Sequence, residues 1–194
     1  MKNKNVKRMV GMALLMAMVV VLQLLSAVIP PVGGFSISLV LIPIVLGAAV
    51  YGVRAGALLG ATFGVIVTIN CVTGADAGGA MVFQANPVLC VLVVMSKGIL
   101  AGMASGAVYQ LLKKVNPYLA MLVAAIICPV VNTGVFIACM LLFFIDVLAA
   151  WAGGGDIIGY VLTGLVLANF VPELIINIVF SPAGQTVMKA VKRK

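Results

Sequence analysis

Five side chains are out of keeping with their surroundings. Asn169, Glu173 and Asn177 lie four residues apart in "ANFVPELIINIVF", Ala168 to Phe180, with Pro172 beside the acid. Lys97 interrupts "VLVVMSKGILAG", and Asn132 interrupts "CPVVNTGVF". The four-residue spacing puts the first three on one face of a helix. A carboxylate, an ammonium and primary amides together can hold a small polar ligand by ion pairing and hydrogen bonding. Much other chemistry is excluded. The chain has no histidine, which removes Ser-His-Asp and Cys-His catalysis and most transition-metal sites. Cys71, Cys90, Cys128 and Cys139 show no CxxC spacing, so neither a metal clip nor a redox pair is indicated. No GxxxxGK[ST] loop cradles ATP phosphates. No enzyme and no cofactor is expected.

The composition says what surrounds those residues. Of 194 residues, 64% are hydrophobic and 8% charged, and mean hydropathy is +1.31. A soluble globule cannot hide that much apolar surface, whereas a bilayer acts as its solvent. The sequence therefore predicts an all-α integral membrane protein, a single domain over 1–194 with short basic tails at 1–8 and 189–194. The net charge of +8 does not imply nucleic acid, because the cations are spread along the ends of apolar runs rather than gathered on one face.

Six spans are expected, at Met9–Ile29, Phe35–Val53, Ala55–Asn70, Pro87–Leu112, Tyr118–Ile145 and Gly159–Ser181. Asn86-Pro87 and Asn116-Pro117 each set a capping side chain before a proline that needs no hydrogen bond in a first helical turn. Six spans put both termini on one side. With that side cytoplasmic, every cation except Lys97 falls inside, and Asp76, Asp146 and Asp156 fall at or beyond the outer ends. The basic start "MKNKNVKR" and a weak "LSA" cleavage site also fit a signal peptide, but an apolar run of roughly twenty residues is long for a signal core, so a retained span is expected. Cys71–Ala85 and Asp146–Asp156, rich in glycine and alanine, read with Ile29–Phe35 either as a mobile outer lid or as flexible connections, and Trp151 is expected at the headgroup level. Gly52, Gly56, Gly60 and Gly64, then Gly98, Gly102 and Gly106, carry the four-residue spacing that lets helix backbones approach in lipid.

Helical rise gives the depths. Lys97 and Asn169 each lie ten residues from the outer end of their span, about 15 Å down. Asn132 lies fourteen residues up its span from the inside, about 21 Å into a core of about 30 Å. Three helices thus bring Lys97, Asn132 and Asn169 to the central or outer membrane, with Glu173 one turn deeper. Charge at such depth costs several kcal/mol unless it faces protein, water or a partner. Two readings stay open at this point. In one, Lys97 and Glu173 neutralise each other and the asparagines bridge helices. In the other, the cluster lines a substrate cavity, and Pro129 and Pro172 each free a backbone carbonyl beside it.

The chain resembles the substrate-binding S components of energy-coupling factor (ECF) vitamin transporters. The resemblance covers nearly the whole chain and rests on its size, on "FSISLVLIPIVLGAAVYGVRAGALLGATFG" and on "ALLMA" in the first span. It implies a six-helix protein of the bacterial cytoplasmic membrane that captures a vitamin or precursor from outside. It further implies that Ala13 and Ala17 form an AxxxA motif docking a transmembrane T component, which works with two cytoplasmic ATPases. By the same analogy Lys97, Asn132 and Asn169 contact the ligand, with Glu173 beneath them. A lysine there suits a carboxylate, favouring pantothenate or a folate over cationic thiamine. A membrane scaffold of cell-wall machinery and a self-sufficient secondary transporter are the competing readings.

Overall fold

A computed structural model describes the backbone of residues 2–28 and 38–192 and the side chains of residues 5–26 and 38–188. The described residues are almost entirely helical and contain no strand. The order is α1 (Lys2–Val28), α2 (Leu41–Tyr51), α3 (Val53–Thr73), α4 (Ala77–Ala85), α5 (Pro87–Leu112), α6 (Pro117–Phe143), α7 (Ile145–Trp151), α8 (Ile157–Tyr160), a π-helical segment (Val161–Phe170) and α9 (Val171–Lys192).

Five helical stretches are long and apolar enough to cross a bilayer: Asn5–Ser26, Val53–Thr73, Pro87–Leu112, Pro117–Phe143 and Ile157–Met188. The expected second span differs. Its helix, α2, has 11 residues, about 16 Å of rise against a core of about 30 Å. The expected start at Phe35 lies outside the described residues. The third span, expected to be short, continues to Thr73 and takes in Cys71.

The two asparagine-proline starts form as the sequence predicts. Asn86 Oδ1 accepts the Leu89 N–H at 3.1 Å. Asn116 Oδ1 accepts those of Tyr118 and Leu119 at 2.9 and 3.3 Å. The glycine runs pack α3 against α5 backbone to backbone: a Cβ on Gly60 would collide with the Gly98 carbonyl, and one on Gly56 with that of Gly102. This is the most extensive helix pair in the molecule.

The long connections are more ordered than loops. Asp76 caps α4 by accepting the Gly79 N–H at 3.2 Å, and Asp156 caps α8 by accepting the Ile158 and Gly159 N–H groups at 3.0 Å. Trp151, at the end of α7, donates to Met81 Sδ of α4 at 3.3 Å and lies 6.4 Å from the Tyr160 ring. The short helices are thereby tied to one another. The lid residues Ile29–Phe35 lie outside the described residues.

At the other end of the bundle several turns gather. Arg8 of α1 donates to the Tyr51 carbonyl at 3.4 Å. Gly52, at φ +95° in the turn between α2 and α3, faces the Gln110 amide of α5. The Tyr109 hydroxyl donates to Met188 Sδ of α9 at 3.1 Å, and Gln185 of α9 donates to the Pro117 carbonyl.

Candidate functional site

A cavity of about 70 Å³ lies among α1, α3, α5, α6 and the π segment with α9. Lys97, Asn132, Asn169 and Glu173 all line it, so four of the five residues singled out from the sequence converge on one space. Each is delivered by a different local feature. Packing of Gly98 on Gly60 fixes the rotation of α5 about its axis, and Lys97 is the next residue. Asn132 lies one turn beyond Pro129 in α6, and Phe136, one turn further on the same face, also lines the cavity.

Asn169 comes from the π segment. There the Val171 N–H reaches back five residues to the Val166 carbonyl, just before Pro172. Proline in an α-helical interior removes one hydrogen bond and clashes with the carbonyl four residues earlier. A wider turn ending at Val171 relieves that demand, and such π turns recur at functional sites. Glu173 follows in the first turn of α9.

The geometry separates the two charges. The Lys97 ammonium lies 4.7 Å from the centre of the Phe136 ring and 5.7 Å from that of Phe63. Cations are attracted to the faces of such rings. Among the described residues it forms no ion pair. Glu173 is 2% exposed, and its Oε1 accepts the Ser38 N–H at 2.9 Å. Among the described residues its Oε2 is buried without a hydrogen-bond partner, as are Gln23 Oε1, Asn132 Oδ1 and Asn169 Oδ1. Lys97 and Glu173 therefore make no contact ion pair among the described residues; the acid accepts from the backbone that enters α2.

Sequence reasoning missed part of the lining. Gln23, Ser38, Asn70, Asp76 and Thr133 also border the cavity. Gln23 and Asn70 carried the signal that marked Asn132, a lone amide in an apolar span. Ser38 stood out less, because a serine is common in such spans and its main contribution is a backbone N–H, with its side chain also beside Glu173. Asn177, which shares the i, i+4 pattern, points elsewhere. Its Nδ2 donates to the Glu173 carbonyl at 2.8 Å, and with Ser181 it borders a separate groove between α1, α2, α6 and α9.

A polar, partly unsatisfied cavity inside an apolar helical bundle has the character of a small-molecule site rather than of a packing core, and is the candidate site here. The family profile described as "ECF transporter, substrate-specific component" matches residues 7–183. The chain belongs to that family. Comparison with individually curated proteins gave no match. This S component is accordingly a multi-pass membrane protein, the substrate-specific subunit of an ECF importer. Such a subunit takes a small-molecule substrate and works with a T component and ATPase subunits.

Ala13 and Ala17 lie away from the cavity. Both are exposed on α1. Ala13 borders a groove of about 530 Å³ between α1 and α3, together with Met9, Met12, Arg54 and Leu58.

Proposed function

We propose that this S component captures a small anionic vitamin or vitamin precursor from outside a bacterial cytoplasmic membrane, with Lys97 engaging its carboxylate. The observation that carries the reading is the Lys97 ammonium, held between two aromatic faces on a cavity wall while the nearby acid is occupied by Ser38. Asn132 and Asn169 orient the ligand, and Glu173 supports it from below. A cavity of about 70 Å³ is small beside the roughly 300–1,000 Å³ of typical ligand pockets. It favours a compact acid of pantothenate size over a folate, and some widening on binding.

The proposed topology has six crossings with both termini cytoplasmic. Two features support it. The start of α1 adjoins the turn into α3 through Arg8 and Tyr51, so the chain between α1 and α3 has to return across the membrane. The last turns of α9 adjoin the α5–α6 turn, and the cations Arg8, Arg54, Lys113 and Lys114 lie at that same end. Energy comes from the T component and two ATPases. Ala13 and Ala17 form the small-residue docking face on α1, beside an open groove.

Purification of the full chain from native membranes in mild detergent, followed by mass spectrometry, tests the reading. Recovery of a carboxylate-bearing vitamin together with a T component and two ATPases is expected. Titration calorimetry of that ligand against Lys97→Ala should show affinity reduced about tenfold or more, as expected for loss of a charge-assisted contact worth about 1.5–3 kcal/mol. Unchanged affinity would remove Lys97 from the site.

A further inference from the structure

The cavity sets a cation on one wall and a free carboxylate oxygen on another, and that pair defines a ligand. On one wall, Lys97 offers N–H donors and a positive charge between Phe63 and Phe136. On another, Glu173 Oε2 is a bare acceptor, since the Ser38 N–H occupies only Oε1. Asn169, Asn132 and Gln23 add three amides whose oxygens have no partner among the described residues and whose NH2 groups can donate. Lys97 and Glu173 border the same small space, with Asp76 as a third charge on its lining, and they lie within electrostatic range of each other.

A ligand that is only a carboxylate has no donors. It would satisfy Lys97 and could accept from the amide NH2 groups, but it would leave Glu173 Oε2 unpaired and bring a further negative charge close to it. A ligand that is only a cation would do the reverse and be repelled by Lys97. Buried acceptors left unpaired weaken binding, which is why sites built to hydrogen-bond a hydroxyl or N–H reject analogues that lack it.

We propose that the cavity takes a two-poled ligand, with an anionic group at Lys97 and a hydroxyl, amide N–H or ammonium donor at the free oxygen of Glu173. This rests on the cavity being the substrate site. It adds a second specificity determinant to the anion contact, and it assigns Glu173 to the ligand rather than to Lys97. The Ser38 contact is what makes the assignment directional. With Oε1 held by a backbone N–H, only Oε2 is free to meet a ligand, and it can only accept from it.

The same contact yields a reversal test. In Glu173→Gln the amide oxygen stays on the Ser38 N–H, so the NH2 group turns into the cavity and the acceptor becomes a donor. Full-length protein in mild detergent is titrated with four probes of equal chain length: hexanoate, 6-hydroxyhexanoate, 6-aminohexanoate and adipate. The hydroxy and amino acids should bind the unaltered protein about tenfold or more tighter than hexanoate, and adipate should bind most weakly. Glu173→Gln should abolish the advantage of 6-aminohexanoate, whose ammonium cannot accept, and raise adipate above hexanoate, while 6-hydroxyhexanoate, whose hydroxyl also accepts, keeps part of its advantage.

Equal binding of hexanoate and 6-hydroxyhexanoate to the unaltered protein, or adipate as its tightest probe, would overturn the second pole and leave the Lys97 contact standing. That comparison needs no variant to fold. Failure of all four probes to bind, or binding indifferent to Lys97→Met, would instead overturn the cavity as substrate site.

Discussion

Among individual residues, the polar side chains of the cavity are poorly satisfied within the fold, as their proposed binding role requires. Asn132 is 5% exposed, yet its Oδ1 has no partner. An unpaired buried acceptor costs roughly 1–3 kcal/mol, and replacing it by an apolar group of similar shape is near neutral or stabilising. Asn132→Leu should therefore leave the thermal midpoint in detergent unchanged or raised, while ligand affinity falls about tenfold. The opposite pattern, a lowered midpoint with affinity intact, would show that the amide serves the fold. Asn132 was legible in the sequence because an amide in an apolar span has few structural uses. Ser38 was not, because a backbone N–H that meets a carboxylate 135 positions away leaves no mark on residue type.

Among the helices, two devices aim those side chains. Glycine contact sets α5 against α3, and its tolerance is sharply local. Gly60→Ala would drive a Cβ into the Gly98 backbone and should cost about 1–3 kcal/mol, as overpacking does. Gly134→Ala meets nothing within 4 Å and should stabilise α6 by up to about 1 kcal/mol, since alanine favours helix more than glycine. Thermal melts of the two variants side by side check the contrast. The second device is the π segment before Pro172. Pro172→Ala restores an N–H at that position, so the helix can tighten to α pitch and rotate Asn169 away from Glu173. A several-fold loss of affinity with an unchanged or higher melting midpoint is expected, and retained affinity would show that the wide turn does not position Asn169. The glycine spacing and both prolines were visible in the sequence. The π turn was not, because an extra residue in one turn leaves hydrophobic content unchanged and alters only which side chains share a face.

Across the whole molecule, the candidate binding cavity and the proposed docking residues occupy separate surfaces. The cavity lies within the bundle, whereas Ala13 and Ala17 are exposed on α1. Ala13→Trp and Ala17→Trp should then leave ligand affinity of the isolated subunit within about twofold, as expected for surface changes worth less than about 0.5 kcal/mol. The same changes should abolish uptake by intact cells and co-purification of a T component. Loss of binding together with transport would mean that α1 also shapes the cavity, which Gln23 on the same helix borders.

By itself the sequence determined the solvent, the helical class, the charge-marked end of the bundle and the shortlist of polar residues. Hydropathy, helical period and the scarcity of charge in lipid act along the chain, and therefore show in it. Tertiary structure decided which of those residues meet. It drew Lys97, Asn132, Asn169 and Glu173 to one cavity, turned Asn177 away from it, shortened α2, and built helices into connections that read as loops. Above all it gave Glu173 to the Ser38 backbone rather than to Lys97. Those outcomes depend on helix rotation, a local change of pitch and contacts between distant backbone atoms, none of which has a periodicity to read.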